Sequence, residues 1–335
     1  MDKPGIKKIA LDIGSSSVKL LELTKENGSL KISKAALVGF KRSEQLSRVD
    51  AICSIIKGYD PKEVLFRTSI SGPSVIIRYI WLPQMNKDEL RSAVKFESEK
   101  YIPFSPEEVI IDSQLVEEDK ATKRVRILLV AVKKDFMDGL LKLLSDCQIK
   151  LEFIDVDSFC LANAFSGVNP KSEKEKNVAL VDIGSRYTNV HIMQGELSYF
   201  SRDIAVAGDN FTTAISEKTG LDLTESEKLK LASGDREGEV KGAIAPVIEE
   251  LAGEIRLCFD YFENQFEKSV ESLRLTGGSS ESELMRKLIE SALGIETIHW
   301  QPLKDIEIDP AVDKKLIPGL NSSLSVALGL ALRDR

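Results

Sequence analysis

The tetrapeptide Asp-Ile-Gly-Ser occurs twice in this chain, at 12–15 and at 182–185, and both copies stand in the same setting. Lys8-Ile-Ala-Leu-Asp-Ile13 is an apolar run that ends in the turn Gly14-Ser15, and Val18-Lys-Leu-Leu-Glu-Leu23 follows it. Val178-Ala-Leu-Val-Asp-Ile183 ends in Gly184-Ser185, and a second run, 187–193, follows again. Strand, aspartate, glycine turn and strand at the head of both halves predict a duplicated unit. Asn27-Gly28 is a hairpin signal, because type I′ turns need positive φ, and it leads into a strand at 30–38. Gln194-Gly195 leads into 197–204 in the same way, so each half begins as a three-stranded antiparallel meander.

The residue types at these turns suit a polyphosphate. Glycine at 14 and 184 lets the backbone turn tightly enough for successive N–H groups to converge on an anion. Ser15, Ser16, Ser17, Ser185, Thr188 and Asn189 offer side-chain hydrogen bonds to it. Asp12 and Asp182 sit where a Mg²⁺ ion with its waters would neutralise the charge. Lys19 is either a point charge near the phosphates or a solvent-facing residue of an alternating strand. A third glycine turn, Leu275-Thr-Gly-Gly-Ser-Ser280, lies between a strand and a helix. Gly277, Gly278 and Ser279 allow a nucleoside to approach the backbone closely, although simple strand-to-helix punctuation accounts for the same residues. Glu227 and Lys230, three apart on a helix, share a face; they reach a ribose or base, or they form a surface ion pair.

Beyond the first meander the pattern predicts a helix at 44–56 and strands at 64–69 and 75–81. Asn86 is an N-cap signal for a helix at 87–100, which Pro103 and Pro106 stop. Strands at 109–116 and 124–132 flank an acidic turn, Glu117-Glu-Asp119; a helix at 134–147, a strand at 149–156 and a helix at 157–165 come next. The block 82–153 reads as an inserted subdomain, and the charged stretch 170–176 as a solvated crossing between lobes. The first lobe then spans 1–172 and the second 173–320, with a helical part at 208–270 built from helices at 208–219, 224–232 and 246–266. A strand at 272–275 and a helix at 283–292 follow. The end, 321–335, carries a small-residue helix at 323–332 that returns to the first lobe.

Composition removes several classes. A net charge of −7, from 46 basic and 53 acidic residues, argues against non-specific nucleic-acid binding, which runs on phosphate neutralisation. Four cysteines without a CxxC pair and two histidines in different segments give little material for a metal or redox motif. The apolar run at 127–132 is far short of the ~20 residues of a membrane helix, and the N-terminus has no secretory pattern. The expectation is a cytoplasmic protein that meets a membrane only through partners.

The same stretches carry a resemblance. Two Asp-x-Gly hairpins followed by Thr-Gly-Gly resemble the actin-like ATPase superfamily, which sugar kinases and heat-shock chaperones share. More specifically, five stretches are similar to the PilM family of type IV pilus assembly proteins, and the similarity runs across nearly the whole length. They are Leu11-Asp-Ile-Gly-Ser-Ser-Ser-Val-Lys-Leu-Leu-Glu-Leu23, Phe96-Glu-Ser-Glu-Lys-Tyr-Ile-Pro-Phe104, Val181-Asp-Ile-Gly-Ser185, Leu275-Thr-Gly-Gly278 and Ala327-Leu-Gly-Leu-Ala-Leu-Arg333. Tyr-Ile-Pro-Phe is the most discriminating of these. The resemblance implies an α/β, actin-like (ribonuclease H-like, duplicated) fold of two lobes, with ATP and Mg²⁺ in the cleft and an FtsA-like subdomain inserted in the first lobe. It also implies a scaffold that binds the N-terminal tail of a PilN-like inner-membrane protein beside other pilus assembly components.

Leu90, Val94, Tyr101, Ile102 and Phe104 form an apolar stripe and turn near that subdomain, which either takes the tail or packs as core. For hydrolysis a residue must orient water. Asp182 is the catalytic candidate, with Asp155 and Asp157 beside it, and nothing singles one out; slow or absent turnover is the expectation. A dimer, an FtsA-like filament-forming ATPase and a sugar-kinase-type phosphotransferase stand as alternatives.

Overall fold

The computed structural model describes residues 6–26, 29–40, 45–168, 176–310, 312 and 320–333. The expected Asn27-Gly28 turn, Glu44 and the crossing at 170–175 lie outside the described residues. The first meander is β1 (Lys7–Ile13), β2 (Ser17–Glu26) and β3 (Ser29–Gly39), with Asp12 opposite Lys19. α1 (Gln45–Ile55) then returns the chain so that β4 (Val64–Ile70) runs parallel beside β1.

β5 (Val75–Pro83), α2 (Lys87–Tyr101), β6 (Val109–Asp119) and β7 (Arg124–Lys133) build a separate unit, an antiparallel sheet in the order β5-β7-β6. α2 starts where its sequence says it should. The Asn86 side chain accepts from the N–H groups of Asp88 and Glu89, and the Glu89 carboxylate accepts from the Asn86 N–H. α3 (Lys134–Asp146) leads to β8 (Leu151–Val156), which pairs with β4 in the first sheet, and α4 (Asp157–Val168) follows.

The theme then repeats. β9 (Asn177–Ile183), β10 (Thr188–Gln194) and β11 (Leu197–Ile204) form the second meander, with Asp182 opposite Asn189. After α5 (Gly208–Thr219), α6 (Leu223–Leu231) and α7 (Glu237–Phe266), β12 (Ser272–Thr276) lies parallel to β9 as β4 does to β1. α8 (Glu283–Leu293), β13 (Thr297–His299), β14 (Glu307–Ile308) and α9 (Ser325–Leu332) complete the described chain. The two large sheets run β14-β3-β2-β1-β4-β8 and β11-β10-β9-β12-β13.

Their central strands are buried on both faces, which is why they read as continuous apolar runs. Ala179, Val181 and Ile183 of β9 pack in the core with α5, α7 and α8, while Val178 and Leu180 pack with α4 and α9. In β1, Ile9 and Leu11 pack with α1 and α3, and Ala10 joins the α4–α9 core. That pair of helices therefore fills the space common to both sheets.

Three sequence expectations change. The helix expected from 246 begins at Glu237, with Pro246 inside it, because Val240, Ala243 and Ile244 continue the buried stripe of Ile248, Leu251 and Ile255. Burial of that extra face outweighs the ~3 kcal/mol cost of an interior proline. The acidic segment Glu117–Asp119 is strand rather than turn, since Glu118 and Asp119 stay paired with Val125 and Arg124. The inserted sheet includes β5, upstream of the expected start at 82, while β8 belongs to the first sheet. Among the described residues no helix is long and apolar enough to cross a membrane.

Candidate functional site

Both glycine turns open onto one cavity of about 380 Å³. In each, the glycine N–H closes the hairpin on a carbonyl three residues on: Gly14 to Ser17 at 3.0 Å and Gly184 to Tyr187 at 3.1 Å. Asp12, Gly14, Ser15, Ser16, Ser17 and Lys19 line the cavity from the first hairpin. Asp182, Gly184, Ser185 and Asn189 line it from the second, Gly277, Gly278 and Ser279 from the third turn, and Glu227 from α6. The third turn needs its glycine. Gly277 has φ +94, and a Cβ there would fall 2.5 Å from the Ile183 carbonyl oxygen and against the Asp182 carboxylate.

Two expected residues stand back from the cavity. The Thr188 hydroxyl donates to the Val206 carbonyl at 2.7 Å, a bond that ties the second hairpin to the chain leaving β11. Lys230 is buried, and its Nζ donates to the Glu227 carboxylate at 2.7 Å, the Thr212 hydroxyl at 3.1 Å and the Gly208 carbonyl at 3.2 Å. Glu227 and Lys230 are thus an ion pair whose lysine props the wall of the cavity from behind. Burial draws the Lys230 pKa down, against the pull of Glu227.

Lys19 faces the cavity and pairs with Asp12 at 3.0 Å. Burial works against its charge, but Asp12, Asp182 and Asp157 together hold its pKa above the ordinary value. Burial also pushes the Asp182 carboxyl up to about 7; Lys19 opposes this, while Asp157, Asp12 and Asp203 add to it. Asp157 rises to about 6, chiefly through burial and then through Asp12.

Of the two carboxylates that sequence reasoning named beside Asp182, Asp157 reaches the cavity, and Asp203 is the carboxylate that it missed. Asp157 opens α4 at the end of β8, and both residues line the cavity. Asp203 sits opposite Asn189 in the ladder and accepts from its Nδ2 at 2.7 Å and from the Gly72 N–H at 2.5 Å. Only strand pairing reveals it. Asp155 is not part of this site: it forms an ion pair with Arg333 in another cavity.

The residues present fit a nucleotide with a hard divalent cation. Carboxylate oxygens from buried Asp12 and half-buried Asp182 are the donor type such an ion takes. Among the described residues the buried Asn189 Oδ1 has no partner, and glycines occupy the positions where side chains would fill the cradle. The raised carboxyls also set a pH dependence. A folded-state pKa above the unfolded value means that the folded protein binds more protons between the two, so stability is lost as pH rises from about 4 to about 7. Ligand-free protein is expected to melt at a higher temperature at about pH 5.5 than at about pH 7.5, and Asp182→Asn to flatten that difference. Equal slopes in the two melting series would remove Asp182 as the cause.

The family model described as type IV pilus assembly protein PilM matches residues 10–335. The chain belongs to the PilM family. A solved PilM–PilN type IV pilus biogenesis complex resembles it over 98% of this chain and 99% of that one, at 26% identity and a TM-score of 0.84. MreB5 of Spiroplasma citri, solved with AMPPNP, shares the fold at 11% identity and a TM-score of 0.56, covering 98% of this chain and 95% of that one. The cell division protein FtsA of Bacillus subtilis (strain 168) is 25% identical over 260 residues, 68% of this chain. The chain spans 58% of the length of that relative. The fold is therefore the duplicated, two-lobed α/β fold of actin-like ATPases.

In this PilM-family chain the expected partner stripe divides. Val94 and, half-buried, Leu90 pack against Ile80, Leu82, Val125 and Ile127 as core of the inserted sheet. Ile102 packs with Val109 and Ala131, and Phe104 lies beneath the Lys133 ammonium, 4.2 Å from the ring centroid. Tyr101 is exposed. The free space lies instead along β6, which among the described residues pairs only with β7. A groove of about 660 Å³ separates β6 from α2, and Leu90 and Val94 line its wall. On the other side of β6 a groove of about 510 Å³ separates the inserted sheet from β8 and α4. Leu128, Val130 and Phe159 line that second groove; Ile110 stands 46% exposed at it, and its charged residues are the Asp155–Arg333 pair and Asp112.

Proposed function

We propose that this PilM-family chain is an ATP-binding scaffold of type IV pilus assembly, and that it holds the N-terminal tail of a PilN-like membrane protein. The convergence of two sequence-distant Asp-Ile-Gly-Ser turns on one cavity carries the nucleotide part of this reading. Gly14, Ser15, Ser16 and Ser17 on one side and Gly184 and Ser185 on the other would hold the phosphates, with Lys19 as a fixed positive charge. Asp12 and Asp182 would hold Mg²⁺ through its waters, and the ion would supply neutralisation of the phosphate charge. Glu227, Gly277, Gly278 and Ser279 would contact the nucleoside, braced by Lys230. In this reading the first lobe runs to about residue 172 and the second lobe from there to about 320, with α9 returning to the first lobe. The chain works on the cytoplasmic side and meets the inner membrane through its partner.

For the tail we take the groove between the inserted sheet and β8, because peptide and ligand sites favour clefts between separately built units. It is floored by apolar side chains, and an extended segment has the free edge of β6 beside it. A similar protein, the partner of PilN in the solved complex, matches this chain end to end. The test is calorimetric titration of a synthetic N-terminal peptide of the cognate PilN-family protein into nucleotide-loaded chain. Ile110→Asp places a charge at a half-exposed position of the groove and leaves the core intact, so it is expected to weaken the peptide about tenfold or more. Unchanged affinity in that variant would move the tail elsewhere, and no binding to the wild type would end the scaffold reading.

A further inference from the structure

Strand β7 carries a buried arginine that ties the inserted sheet to the second lobe. Arg126 is 1% exposed, and its Nη2 donates to the Ser198 carbonyl of β11. The guanidinium carbon lies 4.5 Å from the ring centroid of Tyr199, 5.4 Å from that of Phe266 and 5.0 Å from that of Tyr79 in its own sheet. Glu117, its carboxylate partner, stands 3.4 Å away and is partly exposed. The Tyr79 and Ser198 hydroxyls are bonded to each other, and the Ser198 hydroxyl meets Nε2 of the buried His191 at 3.1 Å. An arginine held by three aromatic faces and a carbonyl from another lobe is a specific fastening, since lysine cannot reproduce the planar stacking.

The same sheet touches the second lobe again at its other end. The Gly72 N–H, just ahead of β5, donates to Asp203 of β11, and Asp203 lines the nucleotide cavity. On the opposite side the sheet is packed onto the first lobe, where Val75 and Val132 share a core with Ile70 and Val156. Side chains alternate along β7, so Leu128, Val130 and Val132 lie on the face that carries Arg126. Those three residues line the 510 Å³ groove, and Ile154 and Phe159 beside β4 line it from the first lobe. The inserted sheet straddles both lobes, and a change in lobe separation must either break the fastening at Arg126 or shear the groove.

We infer that Arg126, with the Tyr79–Ser198 bond beside it, is a latch that couples occupancy of the nucleotide cavity to occupancy of the tail groove. The inference rests on the two binding sites proposed above and assigns their regulation. Groove and latch coexist in this arrangement of the lobes, so a ligand that bridges both glycine turns holds the groove in its present shape and raises tail affinity. Linkage makes the effect reciprocal: the tail must raise nucleotide affinity by the same factor.

The experiment uses the full chain with ATP–Mg²⁺ and the synthetic tail peptide, each titrated with and without the other, in wild type, Arg126→Met and Tyr79→Phe. The wild type is expected to show about fivefold or greater tightening in both directions. Each variant should bring that factor below about twofold while its affinity for either ligand alone stays near wild type. Tyr79→Phe removes one hydroxyl and keeps the ring, so it guards against a misfolded Arg126→Met. A second readout needs no peptide: hydrogen exchange of β5 and β7 amides should slow on ATP–Mg²⁺ addition in the wild type and not in the variants. Independent affinities in the wild type, or full coupling in both variants, overturn the latch. No peptide binding to the wild type rejects the tail groove and the coupling with it, whereas peptide binding that is independent of ATP–Mg²⁺ rejects the latch alone.

Discussion

Gly329→Ala is expected to be among the most destabilising single-methyl additions in this protein, costing roughly 3 kcal/mol. α9 crosses α4 with no side chain between them: a Cβ on Gly329 would lie 2.7 Å from the Cys160 Cα and closer still to the Cys160 carbonyl carbon and oxygen. Neither helix has room to retreat. Leu161, Ala164 and Phe165 of α4 and Ala327, Leu328 and Leu330 of α9 are all buried in the core shared by both large sheets. Overpacking there must move helices that touch both lobes, so the cost falls at the upper end of the usual range. Thermal melting followed by circular dichroism should show a midpoint lowered by roughly 4 °C. Gly253→Ala is the control, because among the described residues no atom outside its own stretch of helix lies within 4 Å of the added methyl, and alanine favours helix at that position in α7. A Gly329→Ala midpoint equal to that of the control would show that the crossing is looser than described.

The second large effect concerns the cavity. Asp12→Ala and Gly184→Val should each lower affinity for a fluorescent ATP analogue with Mg²⁺ by about a hundredfold or more, for different reasons. Asp12 is the partner of Lys19, and its carboxylate is one of the two proposed cation donors. Its loss takes away the nearest carboxylate of a largely enclosed ammonium and removes a cation contact. Gly184 sits at the turn itself. A Cβ there would approach the Tyr187 carbonyl oxygen to 2.9 Å, and the Gly184 carbonyl already accepts from the Gly208 N–H at 3.0 Å and the Ser279 hydroxyl at 3.2 Å. Valine therefore spreads the hairpin and disturbs the third turn with it. Far-ultraviolet circular dichroism should stay near wild type in Asp12→Ala, which separates loss of the site from loss of the fold. Titration curves that overlay the wild type in both variants would disprove the nucleotide cavity.

These two glycines differ in how they announce themselves. Gly184 belongs to a repeated tetrapeptide, and its role is legible because a glycine turn after a strand is a local backbone event. Gly329 lies in a run of small and apolar residues that reads only as a buried helix; its contact is with residue 160, and no pattern along the chain encodes that distance. Lys230 makes the same point with a charge. Its spacing from Glu227 on one helix face is readable, but whether that face meets water or the core is not.

The amino-acid sequence by itself determined the elements and their duplication: two apolar strand pairs hinged at Asp-Ile-Gly-Ser, the Asn86 cap of α2, the third glycine turn and the PilM-family pattern that runs through them. These follow from backbone freedom, side-chain periodicity and capping, which act within a few residues. Tertiary structure alone decided which carboxylates share the cavity, bringing in Asp157 and Asp203 and sending Asp155 to pair with Arg333. It also carried α7 through Pro246, placed β6 between two grooves and buried Arg126 against the second lobe. Each of those outcomes is settled by burial and by charges brought together from distant parts of the chain, and such terms exist only once the lobes have packed.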